Sequence, residues 1–323
     1  MLIWAIVLLI AGFIILIKGA DLMVSGASSM AKKLGISTIA IGLTVVSFGT
    51  SAPELIVSLF SAINGKADAS FGNVIGSNNF NLLCILGVSG LIYPLVVQRN
   101  TVRFEVPISI AAIIVLYLLV NDRWLQGAAT DSLSRTDAII LLIFFFFFMM
   151  YVYRTMKFES EYEEAPIKIF TTPISVILVI AGISMLVLGG KLVVDNAVLI
   201  ANYFGLSQKI IGLTILAAGT SLPELATSAV AAYKKNTDIA IGNVVGSNIF
   251  NIFFILGVTG VVQPLNYNIA LNFDLKVLFV ASMVLMIFMF TLNQRKLDRW
   301  EALLLFIGYI VYTIFLIGME EAI

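Results

Sequence analysis

Histidine is missing from this 323-residue chain, cysteine occurs once, and only 12% of the residues carry charge. Without an imidazole there is no histidine proton relay. The single Cys84 allows no disulfide within the chain, and its apolar neighbours make it a small packed hydrophobe rather than a reactive thiol. Lysine and arginine number 19, as do aspartate and glutamate. No polyanion-binding surface follows from that balance, and nucleic acid is not expected as a partner. A soluble domain is roughly a quarter charged, whereas here 60% of the residues are hydrophobic.

The apolar residues fall in blocks of roughly 18 to 25, the length a bilayer-spanning helix needs. The blocks run over 2–18, 36–63, 69–95, 104–120, 137–153, 173–190, 206–233, 239–265, 275–293 and 299–318. The expected fold is an all-α integral membrane protein of ten transmembrane helices, multi-pass in the cell membrane. Met1–Leu16 has no basic n-region and runs straight into a full span, so it is expected to stay as the first helix.

A shift of 170 residues aligns 20–94 with 190–264 without a gap, and from Ile41 to Pro94 about half the positions are identical to Ile211 to Pro264. The chain therefore divides into a first five-helix repeat over 1–154, with its shared motif at about 36–95, and a second over 173–323, with its motif at about 206–265. A polar linker, 155–172, joins them. Because five is odd, the second copy enters the membrane in the opposite sense, which gives two inverted repeats. Assigning the connections alternately to two sides gathers Lys32, Lys33, Arg99, Arg103, Arg154, Lys157, Lys168, Lys234, Lys235, Arg295, Lys296 and Arg299 on one of them, against Lys66, Arg123, Arg135, Lys191, Lys209 and Lys276 on the other. The positive-inside rule makes that side cytoplasmic and both termini extracellular. The duplicated segments agree: Lys32-Lys33 has become Asn202-Tyr203, and Asn64-Gly65 has become Lys234-Lys235.

The linker carries Glu159, Glu161, Glu163 and Glu164 before Pro166. A solvated acidic connection is its plain reading, and a weak regulatory cation site is the alternative. The run Phe144–Phe148 is expected to pack against lipid or neighbouring helices, and Met319–Ile323 to be a wet tail.

Chemistry concentrates in Gly49-Thr50-Ser51-Ala52-Pro53-Glu54 and its copy Gly219-Thr220-Ser221-Leu222-Pro223-Glu224. A carboxylate at the bilayer centre costs about 2.5 to 3.5 kcal/mol on insertion scales, so a duplicated pair needs a reason. Each proline removes the donor for the carbonyl four residues back, on Gly49 and Gly219. The carbonyls of Ser47, Thr50, Ala217 and Thr220 are expected to be loosened with them. Free carbonyls at membrane depth are tolerated only inside protein or around a polar cavity. Thr50, Glu54 and Ser58 recur at four-residue spacing, as do Thr220, Glu224 and Ser228, which puts each set on one helix face.

The second motif is Gly72-Asn73-Val74-Ile75-Gly76-Ser77-Asn78-Asn79-Phe80-Asn81, repeated as Gly242-Asn243-Val244-Val245-Gly246-Ser247-Asn248-Ile249-Phe250-Asn251. Asn73, Ser77 and Asn81 make a polar stripe, and Gly72 with Gly76 a small-xxx-small surface for a close neighbour, expected to be the GTS-x-PE helix. Asn73 and Asn243, heading the two stripes, belong to the candidate metal-binding set. Hard oxygens with neither sulfur nor imidazole select Na⁺, Ca²⁺ or Mg²⁺ over zinc or copper. Two carboxylates balance one Ca²⁺, or monovalent ions competing for the same oxygens. Buried, protonated glutamates gluing helices together are the structural alternative, made weak by the duplication of the whole constellation.

No G-x-x-x-x-G-K-[ST] loop occurs and no connection could hold a nucleotide-binding domain, so transport is gradient-driven or passive. No catalytic residue, cofactor or protein partner is implied, and an enzyme is the least favoured class. A channel could use the same oxygens, but an inverted repeat with helices broken at the midplane favours alternating access.

Together the two motif pairs closely resemble the α-repeats of sodium/calcium exchangers in the cation/Ca²⁺ exchanger superfamily, in the short prokaryotic form without a large cytoplasmic loop. The resemblance implies ten helices and electrogenic antiport of about three Na⁺ for one Ca²⁺, carried as bound ions by alternating access. It implies a calcium site made of Glu54, Glu224 and the carbonyls of Thr50 and Thr220. Its sodium ligands would be Ser51, Ser77, Ser221, Ser247, the carbonyls of Ser47 and Ala217, and the amides of Asn81 and Asn251. Potassium-dependent members carry an acid where Asn251 stands, so potassium independence is expected. Proton-coupled members place an acid after the Gly-Asn pair, where Gly76 and Gly246 stand, which favours Na⁺ over H⁺ as counter-ion.

Overall fold

The computed structural model describes residues 2–127, 129–155, 168–204, 217–291 and 295–321, and they are almost entirely helical. Among the described residues eight helices are long and apolar enough to cross a bilayer, and Thr38–Thr50 with Ala52–Ile63, bent by 47° at Ser51, makes a ninth. The second-copy counterpart of that bent span, expected over 206–233, begins outside the described residues, which show Ala217–Gly219 and Leu222–Tyr233. Most of the acidic linker and the last two residues also lie outside them.

Two helices run far beyond the expected spans. Leu2–Leu34 has 33 residues and Thr172–Tyr203 has 32, about 50 Å each at 1.5 Å per residue, against a hydrocarbon core of about 30 Å. Lys18 and Asp21 end the hydropathy run but do not break a helix. The first helix stops only before Gly35, which takes a φ of +62°.

These two long helices pack antiparallel, and the reason lies in small residues spaced seven apart. Gly12, Gly19 and Gly26 face Gly189, Gly182 and Ser175. That period is the one that keeps one seam facing a partner along a helix pair, and small side chains there let backbones touch. A Cβ on Gly182 would lie 2.7 Å from the backbone nitrogen of Met23 and 2.8 Å from the carbonyl oxygen of Gly19. Gly182→Leu should therefore separate the pair and lower the melting temperature in detergent. Gly318→Leu, with nothing within 4 Å of its Cβ, should not.

The two halves interlock. Leu95–Val96, which follows the first Gly-Asn helix (Ala67–Ile92), pairs antiparallel with Lys296–Leu297, which precedes the last helix of the other half. Reciprocally, Leu265–Asn266 follows the second Gly-Asn helix (Thr237–Val262) and pairs with Ser132–Leu133. The two Gly-Asn helices form the centre of the bundle, and Thr237–Val262 is the most deeply buried span.

Side chains elsewhere behave as their chemistry requires. Phe148 is buried, Phe144 stacks on Phe253, Phe145 packs on Phe250 and Phe254, and Phe146 and Phe147 face outward. Cys84 is buried. Lys234 pairs with Asp21 at 2.6 Å, tying the end of Leu222–Tyr233 to the first helix. Gly65 and Lys235 occupy the same turn in the two copies with φ of +72° and +60°. The second copy thus accepts a strained lysine where the first has glycine, and adds positive charge to that end of the bundle.

Candidate cation site

The site begins at the kink. Helical bonding stops where the Ser51 amide donates to the Ser47 carbonyl at 2.9 Å, and resumes where the Leu55 amide donates to the Ser51 carbonyl at 3.2 Å. Between these bonds the carbonyls of Phe48, Gly49 and Thr50 have no amide four residues on, with Pro53 responsible for Gly49. In the second copy bonding resumes in the same way, with Leu225 donating to Ser221 at 3.0 Å. The expectation that the Ser47 carbonyl is freed needs correction, because it accepts from both the Ser51 amide and the Thr50 hydroxyl, the latter at 3.3 Å. The proline withdraws a donor only four residues upstream, too far along to release Ser47. Ala217 is placed at the start of the described second-copy segment.

Each kink is braced by the Asn heading its own copy's stripe. Asn73 Nδ2 donates to the Glu54 carbonyl at 3.1 Å and to Ser58 Oγ at 2.9 Å; Asn243 Nδ2 donates to the Glu224 carbonyl at 3.3 Å and to Ser228 Oγ at 2.9 Å. The other oxygens of these amides receive the opposite copy's threonines, Thr220 on Asn73 at 3.2 Å and Thr50 on Asn243 at 3.0 Å. Asn73 and Asn243 therefore spend their oxygens on hydroxyl donors. Thr50 lies across the kink from Glu54 and Ser58, so it turns to the other half instead of sharing their face.

The carboxylates are held across the same interface. Ser51 Oγ donates to Glu224 Oε1 at 2.8 Å, and Ser221 Oγ to Glu54 Oε1 at 3.1 Å. Ser51 Oγ also lies 3.0 Å from Ser247 Oγ. Both glutamates are buried, and their charges are close enough to interact. Among the described residues no lysine or arginine pairs with either.

Asn81 and Asn251 are delivered by a wide π-type turn at matching places, Phe80–Ile85 and Phe250–Ile255, where the amides of Leu86 and Leu256 reach back five residues. Such turns displace a side chain from the regular helical register and cluster at functional sites. The outcome is a set of buried oxygens with no hydrogen-bond partner: Glu54 Oε2, Glu224 Oε2, Ser77 Oγ, Asn81 Oδ1 and Asn251 Oδ1. An unpaired buried polar atom costs about 1 to 3 kcal/mol, and more when charged. The two carboxylate oxygens among them belong to the interacting pair Glu54 and Glu224, the other three stand on the adjoining Gly-Asn helices, and all are hard oxygens fit for Ca²⁺ or Na⁺.

Of the expected residues, hydrogen bonds link Glu54, Glu224, Thr50, Thr220, Ser51, Ser221, Ser247, Asn73 and Asn243 across the two copies, while the Ser47 carbonyl and the Asn73 and Asn243 oxygens are already engaged. Two further polar residues lie here that the candidate set does not include: Asn78 and Asn248, identical in the two copies, accept from the amides of Asn251 and Asn81. Their identity at corresponding positions was the available signal.

A duplicated pair of buried carboxylates inside a bundle of membrane-length helices defines a multi-pass membrane protein with a candidate cation site at its centre. Residues 4–154 and 174–318 match the family described as sodium/calcium exchanger protein, and the chain belongs to that family. It is 33% identical over 275 residues to the inner membrane protein YrbG of Escherichia coli, covering 82% of each chain. It is 30% identical over 308 residues to the sodium/calcium exchanger MaX1 of Methanosarcina acetivorans, covering 83% of this chain and 85% of that one. Its fold matches a structure of the sodium-calcium exchanger NCX_Mj soaked with Na⁺ and Sr²⁺. That match has a TM-score of 0.82 and 30% identity over 96% of this chain and 98% of the other.

Proposed function

We propose that this protein is a Na⁺/Ca²⁺ antiporter working by alternating access. Ca²⁺ would be held by Glu54 and Glu224 with the Thr50 and Thr220 carbonyls. Na⁺ ions would compete for the same carboxylates together with Ser51, Ser77, Ser221, Ser247, Asn81 and Asn251. The observation that carries this is a pair of interacting buried carboxylates, each with an unpartnered oxygen and, among the described residues, no basic partner. About three Na⁺ against one Ca²⁺ would move one net charge per cycle, and a neutral Asn251 leaves no extra charge for K⁺. The architecture would be ten helices in two inverted repeats, with both termini outside the cell membrane.

The hydrogen bonds support the inversion, because the bonds from Thr50 to Asn243 and from Ser51 to Glu224 each have a counterpart 170 residues on.

Purified protein in sodium-loaded liposomes should take up ⁴⁵Ca²⁺ once external sodium is removed, and faster when a permeant anion or ionophore dissipates the potential. Uptake that follows a pH gradient and ignores internal sodium would instead identify proton/Ca²⁺ antiport. Uptake independent of any counter-gradient, at channel rates in a planar bilayer, would end the carrier reading.

A further inference from the structure

We propose that Asn78 and Asn248 are positioning residues that fix the ligand amides of Asn251 and Asn81 with their carbonyl oxygens turned into the ion site. The inference rests on the cation-site reading above. At the level of atoms an asparagine amide can sit either way round, and only its partners decide which end is oxygen. Here a main-chain group decides. Asn78 reaches the backbone carbonyl of Asn248 at 3.2 Å. A carbonyl only accepts, so the end of Asn78 facing it is NH₂ and the other end is Oδ1. That Oδ1 meets Asn251 at 2.9 Å, so Asn251 must present its own NH₂ there. Its Oδ1 is then directed elsewhere, buried and without a partner.

The second copy repeats the sequence of constraints. Asn248 Nδ2 donates to the Asn78 carbonyl at 3.4 Å, Asn248 Oδ1 accepts from Asn81 Nδ2 at 3.0 Å, and Asn81 Oδ1 is left buried and unpartnered. Each half of the molecule thereby orients the ligand of the other half. A flipped Asn251 would set two carbonyl oxygens against each other at Asn78 and point a donor at the cation. The relay removes that alternative before an ion arrives, so binding need not supply the energy of turning the amide.

Partners that orient metal ligands typically contribute about 10- to 100-fold in affinity or activity. Asn78→Ala should therefore raise the half-saturating Na⁺ or Ca²⁺ concentration by about that factor in proteoliposome exchange. The melting temperature in ion-free detergent shows that the variant is folded. The decisive measurement is a double-mutant cycle with Asn251→Ala. If Asn78 acts through the Asn251 amide, Asn78→Ala adds less than about threefold once that amide is gone, because independent effects would multiply. Multiplying effects, or no shift from Asn78→Ala alone, would overturn the proposal and leave the ion site intact. No shift from Asn251→Ala alone would instead remove Asn251 from the ligand set, and the proposal with it. Should Asn78→Ala not fold, the Asn248→Ala and Asn81→Ala cycle decides by the same criteria.

Discussion

Glu54→Gln should abolish sodium-driven Ca²⁺ uptake, and Glu224→Gln should do the same. Glutamine keeps the shape, and its carbonyl can still accept from Ser221 at the place where Glu54 Oε1 accepts at 3.1 Å. What changes is the oxygen with no partner, which becomes an NH₂ pointing at the cation, and half of the site's negative charge is gone. A unit-charge contact at about 2.4 Å with an effective dielectric near 20 is worth about 7 kcal/mol. Even if most of that were compensated, the loss would exceed about 100-fold at 1.4 kcal/mol per factor of ten. Initial rates of ⁴⁵Ca²⁺ uptake at saturating sodium gradient measure it. Glu105→Gln is the control. That carboxylate is also buried and accepts a bond from the Tyr151 hydroxyl at 2.7 Å, but it lies on Thr101–Val120, outside the kink cluster. Exchange should survive there. Wild-type rates in Glu54→Gln would contradict the assignment of the site.

The candidate site was legible in the sequence because the chain states it twice. A carboxylate beside a proline in one apolar run could be an accident of packing; the same pair 170 residues later, each followed by a Gly-Asn stripe, could not. What repetition could not show was the direction of each side chain. Asn73 and Asn81 sit two turns apart on one stripe, yet the first spends its oxygen on Thr220 while the second keeps its oxygen unpartnered. Asn81 itself lies in a π-type turn, Phe80–Ile85, whereas Asn73 stands on regular helix, and no residue in the turn announces that. The Ser47 carbonyl is engaged for a local reason: it accepts from the Ser51 amide at 2.9 Å and from the Thr50 hydroxyl at 3.3 Å. The span lengths were misjudged because hydropathy stops at a charge whereas a helix stops at a backbone signal, and Lys18 and Asp21 are only the former. The glycines at 12, 19 and 26 were readable as a seven-residue period but carried no chemistry to draw attention to them.

Gly246→Leu should eliminate exchange from a position that ligates nothing. The helix Thr237–Val262 meets the first half of the bent span backbone to backbone: a Cβ on Gly242 would come within 3.0 Å of the Ile39 carbonyl and 3.1 Å of Gly42 Cα. A Cβ on Gly246 would come within 2.9 Å of Leu43 Cα and 3.0 Å of the Leu43 carbonyl, and would collide with Ser47 Oγ. Overpacking costs about 1 to 3 kcal/mol where side chains can yield. Main chain yields less, so Thr38–Thr50 must move off the helix as a unit. One turn further along, the bonds from Thr50 to Asn243 and from Ser51 to Glu224 depend on that contact. Moving the segment takes the Ser51 donor from Glu224 and, on the proposed ligand set, would take the Thr50 carbonyl from the cation. Gly246→Ala should already slow exchange about tenfold, as a loss near 1.4 kcal/mol would, and weaken the Ca²⁺-induced rise in melting temperature. The double variant Gly246→Ala with Ser47→Gly separates two causes. It removes the collision with the hydroxyl and leaves the one with the Leu43 backbone, so exchange should stay impaired. Recovery to the wild-type rate would mean that a movable side chain, and not the close approach of two backbones, sets the geometry at Glu224.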